Sequence, residues 1–247
     1  MAEISKILKE KEGVISKIEE IGPSIYKYTI GVEEESMPTL CYAVRLGVPG
    51  RTLTRPFSPV KVSSTALECI IKIYPEPADK DHEMFTPYLS NLSVGDVLRV
   101  LWYTEKHPIT EILCDTNRQV CMLSAGTGIT PMMQILQCAQ ENKNKQSFKV
   151  VSVSSNSVYR ILKSSDEYAA LDLEITDIFI GRNEHSQGSG LSILRERVAQ
   201  IKSAEERTVY LVCGPDSFVK EVAGDRKGLY GGILHALGIP SSSCIKF

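Results

Sequence analysis

Two rhythms of apolar and polar residues divide this chain. Up to about residue 103 the apolar runs are short, at 14–18, 26–30, 40–46, 69–74 and 97–101, and are separated by clusters of Gly, Pro, Ser and charged residues. Short strands at regular spacing with turn signals between them predict a small antiparallel barrel. From about residue 118 the rhythm changes. Val120-Cys121-Met122-Leu123 is an unbroken apolar run of the kind that a parallel strand buried on both faces presents. After it, Met132, Ile135, Leu136 and Ala139 recur at the i, i+3, i+4, i+7 spacing of an amphipathic helix. Strands at 148–153, 175–180 and 208–212 then alternate with helices at 166–171, at 191–201 and from Pro215 onward. That alternation predicts a parallel α/β sheet. The expectation is a two-domain chain: an N-terminal antiparallel β-barrel domain over residues 1–113 and a C-terminal α/β parallel-sheet domain over 114–247, with the boundary in the polar stretch 111–117.

Composition narrows the function. At 247 residues the chain is the right size for two medium domains. The formal charge is −2 and the basic residues are scattered, so the electrostatic footprint of a nucleic-acid binder is missing. Seven cysteines (Cys41, Cys69, Cys114, Cys121, Cys138, Cys213 and Cys244) form an odd set without a C-x-x-C pair. None of their spacings suits zinc or an iron–sulfur cluster, so no metal site is expected and reduced cytosolic thiols fit best. The segment Met1-Ala2-Glu3-Ile4-Ser5-Lys6 holds no apolar run of signal-peptide or membrane-span length, and Ala2 stands where myristoylation needs glycine. A soluble, cytoplasmic protein without a membrane-spanning segment is the expectation.

Three short motifs carry the candidate chemistry. In Gly126-Thr127-Gly128-Ile129-Thr130-Pro131 a glycine turn follows a strand and opens a helix, with Thr130 suited to the N-cap and Pro131 to the first helical position. Exposed NH groups and the helix dipole there favour a phosphate. The spacing is not G-x-G-x-x-G, since proline replaces the third glycine, and a different nucleotide-binding family is implied. A tight strand-to-helix turn without a ligand is the plain alternative. Cys213-Gly214-Pro215 ends another apolar strand, which should put the thiol at the carboxyl edge of the sheet, where ligands of open α/β sheets bind; alternatively Cys213 is a buried structural residue. In Arg55-Pro56-Phe57-Ser58-Pro59, Arg55 offers a bidentate clamp for a diphosphate, Phe57 a flat face for an aromatic ring and Ser58 a hydroxyl donor. The alternative there is a plain strand with Phe57 in the core and Arg55 at a solvated edge.

In this order and over nearly the whole chain, from about Val14 to Phe247, these segments resemble the ferredoxin-NADP reductase superfamily, and within it the cytochrome b5 reductase family. The resemblance implies that the barrel is an FAD-binding domain and that the α/β domain binds a nicotinamide nucleotide. Arg55 and Pro56 match the family's Arg-x-Tyr-Ser/Thr-Pro segment, with Arg55 on the pyrophosphate, Phe57 against the isoalloxazine and Ser58 reaching flavin N5. Ile71, Lys72, Ile73 and Tyr74 resemble the Lys-Val-Tyr strand, whose backbone contacts the flavin and whose lysine helps to receive the nucleotide. Gly126, Thr127, Gly128, Thr130 and Pro131, followed by Met132, match Gly-Thr-Gly-Ile-Thr-Pro. Cys213, Gly214 and Pro215 match Cys-Gly-Pro, where the cysteine sits beside the nicotinamide, and Phe218 takes the following apolar position. Phe247 supplies the aromatic ending. Catalytic work is thereby assigned to Ser58, Lys72 and Cys213.

Three departures from the family pattern stand out. Phe57 replaces tyrosine and forgoes a hydrogen bond. Glu83-Met84-Phe85-Thr86-Pro87 stands where the family has Gly-Lys-Met-Ser, with Phe85 and Thr86 left to serve the cofactor. Ala125 precedes the turn in place of glycine. The resemblance implies transfer of hydride from NADH to FAD and of electrons onward to cytochrome b5 or another haem protein, by a monomer. Residues 154–160 carry no acidic group for a ribose diol, and Ser155 with Arg160 could accept a phosphate, which leaves NADPH open. Quinone or ferric-chelate reduction, and a flavin-less binding or redox-sensing module, are the alternative functions.

Overall fold

The computed structural model describes residues 7–32, 43–75, 85–103, 109–155, 170–180, 184–204 and 207–247. The chain divides into two compact units, residues 1–106 with 133–138 and residues 107–132 with 139–247.

The first unit holds β1 (Ile7–Gly22), β2 (Ile25–Val32), β3 (Val44–Gly47), β4 (Thr54–Phe57), β5 (Lys61–Val62), β6 (Ala66–Lys72), the helix α1 (Phe85–Ser90) and β7 (Val97–Tyr103). The strands form one antiparallel sheet in the order β4-β3-β7-β1-β2-β6-β5. Its two edges, β4 and β5, are consecutive in the chain. The four steps from Phe57 to Lys61 reach at most about 14 Å, whereas the outermost strands of such a sheet, laid flat, stand about 29 Å apart. The sheet must therefore curl until its edges approach, and this is the predicted barrel.

The strand β1 runs much further than the expected 14–18, because it serves two neighbours. Residues 7–14 pair with β7 and residues 13–22 with β2. Gly13 belongs to both pairings, and a Cβ there would stand 2.6 Å from Ile30 Cγ2 and 2.7 Å from Val100 Cγ2. Around it Ile15, Tyr28, Ile30, Leu46, Leu67 and Leu98 fill the core. The expected strand at 69–74 starts earlier and ends at Lys72, and residues 40–42 of the expected 40–46 strand lie outside the described residues. The short β4, β5 and α1 have no periodic signal in the sequence. Pro56 fits β4 because one side of an edge strand needs no ladder donor.

The second unit contains α2 (Ile109–Cys114), β8 (Gln119–Ala125), a 3-10 turn (Gly126–Ile129), α3 (Thr130–Glu141, of which residues 133–138 belong to the first unit), β9 (Ser147–Ser154), β10 (Asp172–Phe179), α4 (Glu184–Ala204), β11 (Thr208–Cys213), α5 (Asp216–Ala223), α6 (Gly232–Ala236) and β12 (Cys244–Lys246). The sheet is parallel throughout, in the order β10-β9-β8-β11-β12. From β8 the chain steps outward through β9 to β10, then returns to the other side of β8 for β11 and β12. That reversal makes a switch point between β8 and β11, and open α/β sheets bind ligands beyond the carboxyl ends of the strands at such a point.

All of β8 is buried, as its apolar run predicts. Met132, Ile135, Leu136 and Ala139 are buried on α3, but so are Met133 and Gln134, so burial extends beyond the single face that the spacing suggests. The polar stretch 111–117 contains the end of α2, whose carbonyl at Ile112 accepts a 2.7 Å bond from Gln146 Nε2. Residues 166–169 of the expected helix at 166–171 lie outside the described residues and residues 170 and 171 form a turn instead of helix, while α4 exceeds the expected 191–201 at both ends. No helix among the described residues is long and apolar enough to cross a membrane.

Candidate functional site

The switch point brings two of the three motifs together. Register pairs Leu123 with Val212 and Ser124 with Cys213, so the turn after β8 and the turn after β11 leave the sheet side by side. A Cβ on Gly128 would stand 2.3 Å from the Cys213 carbonyl oxygen and 2.6 Å from the Gly214 nitrogen. A Cβ on Gly214 would meet Phe218 Cδ1 at 2.8 Å and Ala125 Cβ at 3.1 Å. Close backbone approach requires glycine at 128, whereas at 214 the side chains of Phe218 and Ala125 take the space that a Cβ would need. Gly126 turns the chain at φ +54°, in the left-handed region.

The helix start differs from the expected N-cap at Thr130. The 3-10 turn runs from Gly126 straight into α3, and Thr130 already has helical dihedrals (φ −61°, ψ −44°). Its hydroxyl donates to the Thr127 carbonyl at 3.0 Å instead of accepting from a backbone NH. The helical end presented to a ligand therefore begins at Gly126, directly after β8, which moves the free NH groups closer to the sheet edge. Pro131 and Met132 are buried within α3, and Phe218 is buried on α5, so these three back the site from inside.

Ser124, Ser152 and Cys213 occupy adjacent register positions on β8, β9 and β11, on one face of the sheet. The hydroxyls of Ser124 and Ser152 are buried without a hydrogen-bond partner. The Cys213 side chain is half-buried, and burial pushes its thiol up to about 11, against the opposing pull of the Arg226 charge. At neutral pH it is an uncharged, compact group rather than a thiolate nucleophile.

The segment 224–228 is tied down. Arg226 Nη2 donates to the Gly214 carbonyl at 2.7 Å and Nε to Asp216 Oδ1 at 2.8 Å. Sequence reasoning missed this role, because a Gly-Asp-Arg-Lys-Gly run carries no local sign of what its arginine reaches. Phe247 is half-buried, and its NH donates to the Val212 carbonyl at 2.9 Å, extending the β12 edge.

The third motif lies in the first unit. Arg55 and Pro56 are exposed on β4, and Ser58, just past its end, is half-buried. Phe57 packs its ring on buried Phe85 with centroids 5.9 Å apart, and Phe85 in turn stands 6.3 Å from Tyr88. Phe85 is thus a prop for Phe57 inside the core, not a surface available to a ligand. Ile71 is buried and pairs with Tyr26. Beyond β6, the Ile73 NH donates to the Ser24 carbonyl at 2.8 Å, and the Tyr74 NH donates to Thr86 Oγ1 at 3.3 Å. Tyr74 is 46% exposed, with Lys72 Nζ 5.1 Å from its ring centroid. An exposed guanidinium, a propped phenyl ring and an exposed tyrosine suit a ligand that combines flat rings with phosphates. Glu83 and Met84, and residues 156–160 of the expected 2′-reading segment, lie outside the described residues.

Comparison with known proteins agrees with this arrangement. Residues 122–224 match the family model of the oxidoreductase NAD-binding domain. NADH-cytochrome b5 reductase 2-A of Vanderwaltozyma polyspora is 27% identical over 254 residues, covering 94% of this chain and 82% of that protein. NADH-cytochrome b5 reductase 2 of Aspergillus niger is 26% identical over 215 residues, covering 80% of this chain and 63% of its own length. Among solved structures, a ferredoxin NADP+ reductase from Neisseria gonorrhoeae with bound FAD and NADP superposes with a TM-score of 0.65 at 19% identity, over 86% of this chain and 88% of that one.

Proposed function

We propose that this chain, a ferredoxin reductase-like protein by fold and a relative of the NADH-cytochrome b5 reductases by sequence, is an FAD-dependent oxidoreductase that takes hydride from NADH and passes electrons to a haem protein such as cytochrome b5. The observation that carries this reading is the contact between the Gly126 turn and the Cys213 turn at the switch point of the parallel sheet. When bound, FAD supplies the hydride acceptor and the means of releasing electrons one at a time. The chain supplies binding and orientation. Arg55 holds the diphosphate, Phe57 stacks on the flavin and Ser58 donates toward its N5. Lys72, Ile73 and Tyr74 border the flavin, with the backbone at Tyr74 fixed by Thr86.

Within the second unit, the free NH groups from Gly126 onward receive the nucleotide phosphates. The neutral Cys213 thiol would border the nicotinamide without competing as a charge. NADH is preferred over NADPH in this reading, after the family rather than after any local acidic residue. A cytoplasmic location belongs to the same reading, as do a monomeric state and docking of an acidic haem protein through lysines near the flavin edge.

The test is the visible spectrum of the purified protein before and after anaerobic addition of NADH, then NADPH. A flavin spectrum that bleaches with NADH is the expected result. A protein that stays colourless after incubation with FAD would favour the flavin-less module and sink the assignment. Cytochrome b5, quinone and ferric chelate are then compared as acceptors. The cytochrome b5 rate is expected to fall as salt rises, and a salt-independent rate would remove the docking scheme.

A further inference from the structure

From the bonds that Arg226 sends to the Gly214 carbonyl and to the Asp216 carboxylate just beyond it, we infer that Arg226 is a positioning residue for hydride transfer, acting by fixing the peptide that carries Cys213 beside the nicotinamide. The inference rests on the proposed function above for its chemistry and on geometry for its residue.

Gly214 has no side chain, because Phe218 and Ala125 leave no room for one, and Pro215 has no NH to anchor. The next backbone bond is the Val219 NH donating to the Pro215 carbonyl at 3.0 Å, which belongs to the helix that follows. What restrains the Gly214 carbonyl is the Arg226 guanidinium, at 2.7 Å. A planar fork that bonds a carbonyl with one arm and the Asp216 carboxylate with another sets direction as well as distance.

Arg226 is itself held in place. The Gly224 NH donates to the Lys220 carbonyl at 3.0 Å, and Gly224 pairs with Tyr230 as an isolated bridge that closes the loop. Gly224 takes φ +81°, and a Cβ there would stand 2.3 Å from the Leu229 carbonyl oxygen. Lys246 Nζ from β12 donates to the Asp225 carbonyl. The Gly228 NH donates to the same carbonyl at 3.2 Å. The loop is a bracket built from three parts of the chain, and its arginine points at the one carbonyl between Cys213 and Pro215. The same charge lies close enough to Cys213 to oppose the effect of burial on its thiol.

The closing experiment compares wild type with Arg226→Ala, Arg226→Lys and Asp216→Asn. Amide hydrogen exchange over residues 211–219 reads the anchor without any cofactor. Anaerobic stopped-flow reduction by NADH and by 4-deuterated NADH reads the hydride step, and a titration with NAD+ reads binding. Arg226→Ala is expected to speed exchange in that segment by at least about tenfold and to slow flavin reduction by about 10- to 100-fold with a larger isotope effect, since small misplacements at a reacting centre are costly. Its NAD+ affinity is expected to stay within about threefold, because the loss falls on orientation rather than on uniform binding. Arg226→Lys, with a point charge in place of the fork, and Asp216→Asn, which keeps the Gly214 bond but weakens the second arm, both fall between wild type and Arg226→Ala.

Unchanged exchange in Arg226→Ala overturns the anchor, whatever the flavin does. Faster exchange with wild-type reduction overturns the positioning role. A parallel loss of melting temperature and NAD+ binding would reduce Arg226 to a general structural residue and also overturns it. A wild type that neither nucleotide reduces sinks the proposed function itself, and the positioning role with it, even where exchange reports an intact anchor.

Discussion

Gly128 and Cys213 approach so closely that a Cβ at position 128 would lie 2.3 Å from the Cys213 carbonyl oxygen. The obstacle is backbone, which cannot rotate aside as a side chain can. The two turns are therefore one piece of structure, although the chain visits β9, β10 and α4 between them. Gly128→Ala is expected to force the turns apart, to cost about 1–3 kcal/mol of stability and to abolish reduction by NADH. The control is Gly231→Ala, whose Cβ would find its nearest neighbour, Gly224 Cα, at 3.9 Å; urea denaturation should place it within about 0.5 kcal/mol of wild type.

The Cys213 thiol gives a pH signature. Burial pushes it up to about 11 from an ordinary value of 9.0, so alkylation of Cys213 by iodoacetamide should still be climbing, by about tenfold per pH unit, between pH 8 and 10. A plateau near pH 9 would contradict the burial.

Stability follows the same sign. An acid whose pKa is raised on folding keeps its proton longer in the native state, so the unfolded chain loses protons first as pH rises. Cys213 and Cys244, both pushed up to about 11 by burial, therefore leave stability untouched below about pH 9 and reduce it progressively from pH 9 to 11. The urea midpoint should fall over that window in wild type and fall less in the Cys213→Ala, Cys244→Ala double variant. A midpoint equally steep in both would assign the alkaline loss elsewhere.

Thr86 Oγ1 accepts the Tyr74 NH at 3.3 Å and so ties the exit of β6 to the start of α1. Thr86→Val keeps the shape and removes the acceptor, at a cost of about 1 kcal/mol. FAD titration by fluorescence should show a dissociation constant raised by about fivefold, with Thr86→Ser close to wild type. Equal affinity in all three would mean that the tie does not shape the flavin surface.

Phe57 owes its orientation to Phe85, ring to ring at 5.9 Å. Phe57→Ala should weaken FAD by about tenfold, in line with the energy of an aromatic contact. Phe57→Tyr keeps the stack and adds a hydroxyl, and should bind FAD at least as tightly as wild type. Weaker binding by the tyrosine variant would show that the pocket is shaped for phenylalanine.

Local pattern was enough to reveal some of this molecule. The apolar run at 120–123, the spacing of Met132, Ile135, Leu136 and Ala139, and the alternation after residue 118 reported strand and helix directly, because burial on one or both faces leaves a period in the sequence. The order of the three motifs likewise pointed to a resemblance that the similarity to the NADH-cytochrome b5 reductases bears out. What lacks a period was invisible: β4 and β5 are too short to show one, α1 is a single buried turn and a half, and the N-cap expected at Thr130 gave way to a 3-10 turn whose start depends on how β8 ends.

The sequence by itself singled out candidate residues for a flavin and a nucleotide, since each motif carries its chemistry in consecutive positions. Only the tertiary structure decided which motifs meet. The return of β11 to the far side of β8 set Cys213 against Gly128, and the folding back of the loop after α5 set Arg226 on the Gly214 carbonyl. Pairings between distant segments are fixed by the packing of the whole sheet, and neither partner's local sequence encodes the other.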